Sequence, residues 1–410
     1  MTPPAVPAGL VIVLSGITAA LHVGKLPPAL TILKDTLDIS LLQAGFLVSL
    51  VQLAGMSLGL LVGLSTDSLG LRRSMTLGLG LLATASLLGG LAETPTFLLT
   101  CRALEGLGFL LVVLSAPALL RQLVPTERLH RAMALWSCFM GLGVGSALLT
   151  GPWVIAWLGW QGWWWTLAGW TAVMLVALRC RVPADRHRHG AQTLAGETGE
   201  GWRRRLAMTL GAPGPWLVAL CFAMYSSQWL AVIGFLPTIY QQAGVSELLA
   251  GSLTALVAAT NIIGNLGSGQ LMHRGIAPVS LLRFGFAFSA LGTFLAFGEL
   301  TAGAPLLRFA AILMFSAVGG VIPGALFTLA VRLAPSEHTV STTIGWMQQW
   351  SAFGQFAGPP LVAWLAAQVG GWQWTWAMTG TASLLGILLA YRLGRVHHAY
   401  PAQSAGVAVR

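Results

Sequence analysis

Long apolar runs fill this chain, each ended by a short stretch of charges, Pro or Gly. They lack the strict alternation of half-buried strands, and most are too long for strands. A helix needs about 20 mostly apolar residues to cross a bilayer. Twelve runs meet that length: 8–30, 41–62, 74–92, 96–120, 132–156 and 162–179, then 214–238, 248–270, 280–298, 304–331, 340–366 and 373–392. Between the sixth and seventh lies "RVPADRHRHGAQTLAGETGEGWRRR", starting at Arg181, the most polar stretch of the chain. The pattern predicts an all-α polytopic membrane protein with twelve transmembrane helices in two pseudo-symmetric six-helix bundles. Residues 1–180 form the first, 181–213 a linker and 214–410 the second.

An internal repeat supports the division. "LVPTERLHRAMALW" from Leu123 and "LAPSEHTVSTTIGW" from Leu333 share Leu, Pro, Glu and Trp at the same offsets. Further along each half come "GWQGWWW" from Gly159 and "GWQWTW" from Gly371. One six-helix unit is written twice.

Composition fixes the solvent. The chain is 56% hydrophobic and 8% charged, against about 25% charged in soluble domains. The 50 Gly and 17 Trp suit close helix packing and headgroup-level anchoring. The net charge of +10 comes from Arg scattered between apolar runs. That is no footprint for nucleic acid. Four Cys occur without a CxxC pair, so free thiols are expected, with no disulfide, metal or cofactor. No cleavable signal peptide is read at the N-terminus, and the first helix is expected to remain.

Charge also orients the chain. With the N-terminus inside, every Lys and Arg except Lys25, Lys34, Arg102 and Arg308 falls on the cytoplasmic side. The positive-inside rule then puts both termini in the cytoplasm. Arg and Gly richness with few Lys associates the chain with a bacterial inner membrane, and a monomer is expected.

Between the second and third runs stands "GLSTDSLGLRR", Gly63 to Arg73. It resembles the signature loop of the major facilitator superfamily, and the resemblance extends over essentially the whole chain. It implies twelve-helix secondary transport by alternating access. It also implies a latch of Gly63, Asp67, Gly70, Arg72 and Arg73, with Asp67 as an anion for a neighbouring helix N-terminus. Ser68 stands where the family carries a basic residue, which predicts a weaker latch. "GQLMHRG" from Gly269 is a worn second copy. "RALEGLG" from Arg102 resembles the family's R-x-x-x-G-x-G element. "GLGVGSALLTGP" from Gly141 lacks the G-P-x-x-G-G spacing of the family's antiporters, which argues against antiport. Within the family, "GKLPPALTILKDTLDISLLQAGFLVSL" from Gly24 is most similar to the cyanate/nitroimidazole-type branch.

Polar residues three and four apart share a helix face. Ser15, Thr18, His22 and Lys25 make such a stripe in the first helix, and Thr254, Asn261, Asn265 and Ser268 in the eighth. Tyr225, Gln228 and Trp229 sit together in the seventh, while Ser341, Gln348 and Gln355 share a face in the eleventh. The third, sixth, ninth and twelfth helices carry no charge in their middles and read as lipid-facing supports. Ionisable groups inside a membrane default to function. His22, Lys25, Arg102, Tyr225, Gln228, Trp229, Asn261, Asn265, Arg308 and Gln348 are therefore the candidate substrate contacts. Glu105, one turn from Arg102, is the acid placed to carry a coupling proton; a structural ion pair is its alternative role. Half of the uncharged polar residues are expected to serve helix packing instead.

Three of the four membrane-embedded ionisable groups are cationic, which favours an anionic small-molecule substrate. An exporter of amphipathic drugs or metabolites is the alternative; the first helix lacks the acid that many such exporters carry. A non-transporting sensor would call for an attached soluble domain. No catalytic motif or nucleotide-binding loop appears, so neither an enzyme nor an ATP-driven pump is expected.

Overall fold

The computed structural model describes residues 8–60, 70–185 and 201–399. Every regular element among them is an α- or 3-10 helix. The first span comprises Ala8–Gly24 and Leu26–Leu37. The second is Leu41–Leu60, with a 3-10 turn at Leu50–Gln52. The third is Leu71–Gly89 and the fourth Pro95–Leu123. The fifth enters through Thr126–Ser137, and the 43-residue helix Phe139–Arg181 then holds the rest of the fifth and all of the sixth. They divide at Gly159, whose φ of 72° and ψ of 175° are not helical. A linker helix, Trp202–Gly211, precedes the second bundle. That bundle comprises Pro213–Gln242, Glu247–His273, Pro278–Phe297, Pro305–Arg332, Val340–Val369 and Thr375–Ala399, the seventh to twelfth spans.

Nine helices among the described residues are long and apolar enough to cross a membrane by length and composition. With the division at Gly159, the helices Leu71–Gly89 and Val340–Val369 are consistent with the twelve that the hydrophobic pattern expects. The linker helix marks one end of the molecule, the linker face, and the far face lies at the opposite end.

Helix ends differ from the hydrophobic pattern where polar residues continue a helix. The first span runs to Leu37, so Lys34 lies in its last turn instead of in a loop. Ser40 then opens the second span with a reciprocal capping box to Gln43, which satisfies two otherwise unpaired backbone groups. The third span starts at Leu71, placing Arg72 and Arg73 in its first turn.

The sequence repeat has a structural counterpart. Gln161 folds its amide back towards Gly159, and Gln373 does the same towards Gly371. In the first bundle the first span packs closely on the fifth, through Gly24 against Val144 and Gly143 against Ile17. The seventh packs on the eleventh in the second bundle, through Gly354 against Ala223 and Gly358 against Ser227. Small residues let backbones approach where lipid provides no hydrophobic drive between helices.

Close contacts between spans join the bundles. Gly251 of the eighth fits against Pro152 and the Leu148 carbonyl of the fifth. Gly45 of the second faces Pro359 and Pro360 of the eleventh. Thr31 of the first donates to Gln241 Oε1 of the seventh at 2.6 Å. Outward-facing Trp157, Leu306 and Leu388 leave a greasy exterior.

Candidate functional site

Four ionisable side chains, His22, Lys25, Arg102 and Glu105, meet inside the first bundle, all with no solvent exposure. Two local features assemble them. The first span is interrupted at Lys25, because Pro27 and Pro28 have no N–H to donate to the preceding turn. The Lys25 carbonyl accepts from Trp163 Nε1 at 3.0 Å. In the fourth span, a Cβ on Gly106 would lie 2.6 Å from the Val51 carbonyl oxygen, and one on Gly108 2.7 Å from that of Gly78. These glycines admit the second and third spans to contact distance. The second span then presents the Leu47 carbonyl to Arg102 Nε at 3.1 Å.

Arg102 Nη1 donates to Glu105 Oε2 at 2.6 Å and to the His22 carbonyl at 2.8 Å. Lys25 Nζ binds the other carboxylate oxygen, Glu105 Oε1. It also donates to Ser86 Oγ at 3.0 Å and lies 4.6 Å from the centre of the Trp164 ring. All three ammonium hydrogens thus have an acceptor, the last a ring face. His22 Nε2 lies 2.8 Å from Thr171 Oγ1. That hydroxyl spends its own hydrogen on the Leu167 carbonyl, so Nε2 is the donor. Nδ1 faces Glu105 Oε1 at 3.6 Å. With neutral His22, two cations share one carboxylate, and the cluster carries one net positive charge. Arg102 Nη2 is buried without a hydrogen-bond partner.

The pairing of Arg102 with Glu105 follows the spacing in the sequence. The rest of the cluster departs from it. The stripe Ser15, Thr18, His22 and Lys25 faces the interior of its own bundle: Thr18 accepts from Trp170 and Ser15 returns to its own helix. The third and sixth spans are more than lipid-facing supports, since Ser86, Trp163, Trp164 and Thr171 complete the cluster.

The other expected contacts are dispersed. Asn261 donates to Tyr225 Oη at 2.8 Å and to the Ser316 carbonyl at 2.9 Å, tying three spans of the second bundle. Gln228 bonds Met224 and Ser383. Trp229 is buried, its Nε1 without a partner. Asn265 reaches across to the Ser137 carbonyl at 3.3 Å. Arg308 lies at the far face, where it donates to Thr301 and the Gly298 carbonyl at the end of the ninth span. A cation there suits the helix C-terminus.

Gln348 alone of these ten lines a chamber between the bundles. The chamber measures about 70 Å³ and is bounded by the second, fourth, fifth and eleventh spans. Gln52, Gln349, Ser351 and Gln355 also face it, opposite Phe109, Phe139 and Met140. Gln52 donates to Gln355 Oε1 at 3.0 Å. Gln349 accepts from the Leu60 N–H at 3.1 Å and donates to the Met56 carbonyl at 2.8 Å, clamping the second span to the eleventh. A second cavity of about 190 Å³ opens at the far face beside Thr31, Lys34 and Gln241. Neither cavity is lined by the charge cluster.

Of the expected latch, Gly63 and Asp67 lie outside the described residues. Gly70 has a φ of 91° and abuts Asp185. The backbone N–H groups of Arg72 and Arg73 donate to Asp185 at 3.0 and 2.9 Å, and Arg72 Nη2 donates to the Arg179 carbonyl at 2.7 Å. Asp185 thereby places an anion on the N-terminus of the third span and ties it to the end of the sixth. Its position in a polar linker gave no hint of this. Among the described residues no group of three His, Cys, Asp or Glu side chains is arranged to hold a metal.

A family model described as Major Facilitator Superfamily matches residues 9–357. The chain is 26% identical to the cyanate transport protein CynX of Escherichia coli (strain K12) over 63% of its own length and 64% of that protein's. Its match to that relative thus falls short of two thirds of the relative's length. It is 25% identical to the 2-nitroimidazole transporter of the same organism over 90% of both chains. Its fold overlays a bacterial homologue of the human lysosomal transporter Spinster, in an inward-facing and occupied conformation, with a TM-score of 0.79. That overlay covers 96% of this chain and 98% of the other at 15% identity.

Proposed function

The chain belongs to the major facilitator superfamily of transporters, and from that premise we propose that it is a secondary active transporter moving a small polar solute by alternating access. The observation that carries this reading is the chamber between the bundles, with side-chain contacts joining the bundles towards each face. Thr31 and Gln241 close towards the far face, and Gln349 holds Met56 and Leu60 towards the linker face. Rocking of 1–180 against 214–410, with 181–213 as the connecting strap, would open one closure at a time. The 2-nitroimidazole transporter, matched over nine tenths of its length, supports a compact substrate.

We further assign the linker face to the cytoplasm of a bacterial inner membrane, on the distribution of Arg. Gly70, Arg72, Arg73 and Asp185 act there as the conformational latch. Glu105, with His22 Nδ1 facing it, is the group we assign to proton coupling. A second reading, an anionic substrate, is favoured by one observation: the cluster keeps one net positive charge and an unused donor at Arg102 Nη2. The anion would reach that donor only after the first bundle loosens.

Proteoliposomes containing the full chain test both readings, with labelled cyanate and 2-nitroimidazole as probes and a proton gradient of either sign. Saturable flux that Ala352→Phe abolishes by filling the chamber supports the transport reading. Flux unaffected by Ala352→Phe removes the chamber from the path. Loss of cyanate flux in Arg102→Gln, with 2-nitroimidazole flux kept, would favour the anion.

A further inference from the structure

The chamber has a chemistry that points to one class of ligand. No charged side chain lines it. Its polar wall consists of amides and a hydroxyl, which offer donors and acceptors together. At about 70 Å³ it has room for about five water-sized centres, which suits a compact, flat molecule better than a drug-sized one.

Its hydrogen bonds are unevenly spent. Gln349 uses both ends of its amide on backbone groups. Gln52 and Gln355 are joined to one another, and Gln355 reaches Ser351 Oγ at 3.4 Å. Gln348 makes no side-chain hydrogen bond among the described residues, unlike Gln349, Ser351 and Gln355, which face the chamber from the same helix. A solute that pairs with both ends of that amide would supply the donor and acceptor partners it lacks within the protein. The opposite wall is apolar, formed by Phe109 and by Phe139, which stacks on Trp136 with ring centres 4.5 Å apart. That stack fixes the Phe139 ring in the chamber wall.

We propose that this chamber binds an uncharged, planar solute carrying at least one N–H donor and one acceptor, read by Gln348 with Gln52 and Gln355 beside it. An anion would find no cationic side chain and would meet amide oxygens beside the amide N–H groups, and a cation would find no acid. A polar site of this kind rejects analogues that lack its hydrogen-bonding groups, because its own groups are then left unpaired. The proposal rests on the transport reading above and narrows its substrate.

The test is binding to the purified full chain in detergent, by calorimetry. The probes are 2-imidazolidinone, 2-pyridone and 2-nitroimidazole, with N,N′-dimethyl-2-imidazolidinone and cyanate as controls. Saturable binding of one or more of the three is expected, with dimethylation of the cyclic urea costing about tenfold. Gln348→Leu should also lose about tenfold, and Gln348→Asn, which keeps the amide, should lose less. Matched elution and melting of each variant show that the fold persists. The proposal is overturned if none of the three binds, or if Gln348→Leu binds as the wild type does. It is also overturned if cyanate binds tightest. Cyanate flux that Ala352→Phe blocks, without binding of any uncharged probe, would retire this inference and leave the transport reading standing.

Discussion

Lys25 and Glu105, eighty positions apart in the chain, hydrogen-bond in the interior of the first bundle where neither side chain meets solvent. Arg102 holds the other oxygen of the same carboxylate. Taking charges out of water is costly, and the pairing is what makes their burial tolerable.

That sharing predicts an asymmetry. Glu105→Gln strands two buried cations and should cost about 3–5 kcal/mol. Lys25→Met leaves the Arg102–Glu105 pair balanced and should cost roughly half as much or less. Thermal unfolding of the detergent-solubilised variants measures both. Equal losses would mean that Lys25 and Arg102 do not share the carboxylate as described.

Gly106 offers a steric prediction. Gly106→Val would push a branched side chain into the Val51 carbonyl and move the second span away from Arg102. A loss of about 1–3 kcal/mol is expected from overpacking. Gly80 and Gly169 have open space at the same point, so Gly80→Ala and Gly169→Ala should leave the melting temperature close to that of the parent. A Gly106→Val variant as stable as these controls would contradict the close approach.

Asp185 should be felt at the start of the third span. Asp185→Asn weakens two charge-assisted bonds to the Arg72 and Arg73 N–H groups, at a cost of about 1 kcal/mol for a partly exposed site. Hydrogen exchange of the first turn after Gly70 should accelerate, with the fourth span unchanged. Unaltered exchange there would show that Asp185 does not restrain the latch.

Gln349→Leu removes the amide that bridges Met56 and Leu60. Faster hydrogen exchange of the Leu60 N–H is expected, because the side chain that accepts it and bridges it to the Met56 carbonyl has been withdrawn. Exchange that stays slow would mean that the Leu60 N–H is held without the eleventh span.

How much of this was legible without a structure depends on the range of the contact. The Arg102–Glu105 pair lies one helical turn apart, so spacing alone exposes it. The two loops that repeat "Pro, Thr or Ser, Glu" announce a duplicated six-helix unit. The partnership of Lys25 with Glu105 and of His22 with Thr171 depends on how distant helices pack, which no local period encodes. The third and sixth spans mislead for a related reason. In a membrane the lipid-facing and core-facing sides of a helix are both apolar, so Ser86 and Thr171 look like incidental polar residues among leucines. The chamber was half visible: Gln348 and Gln355 share a face in the sequence, but Gln52 comes from the other bundle. Asp185 sits in a stretch whose polarity disguises its single structural bond set.

The central claim is alternating motion at the two faces, and spin-label distances test it without a known substrate. None of Cys101, Cys138, Cys180 and Cys221 is in a disulfide, and all four would first be replaced. Labels at the exposed positions Thr36 and Ala243 report the far face, and labels at Gln122 and Arg332 the linker face. In lipid nanodiscs each pair should show a short and a long distance population. Shifting pH or adding a bound probe should lengthen one pair while shortening the other. A single unchanging distance on both faces under every condition would contradict alternating access by this chain.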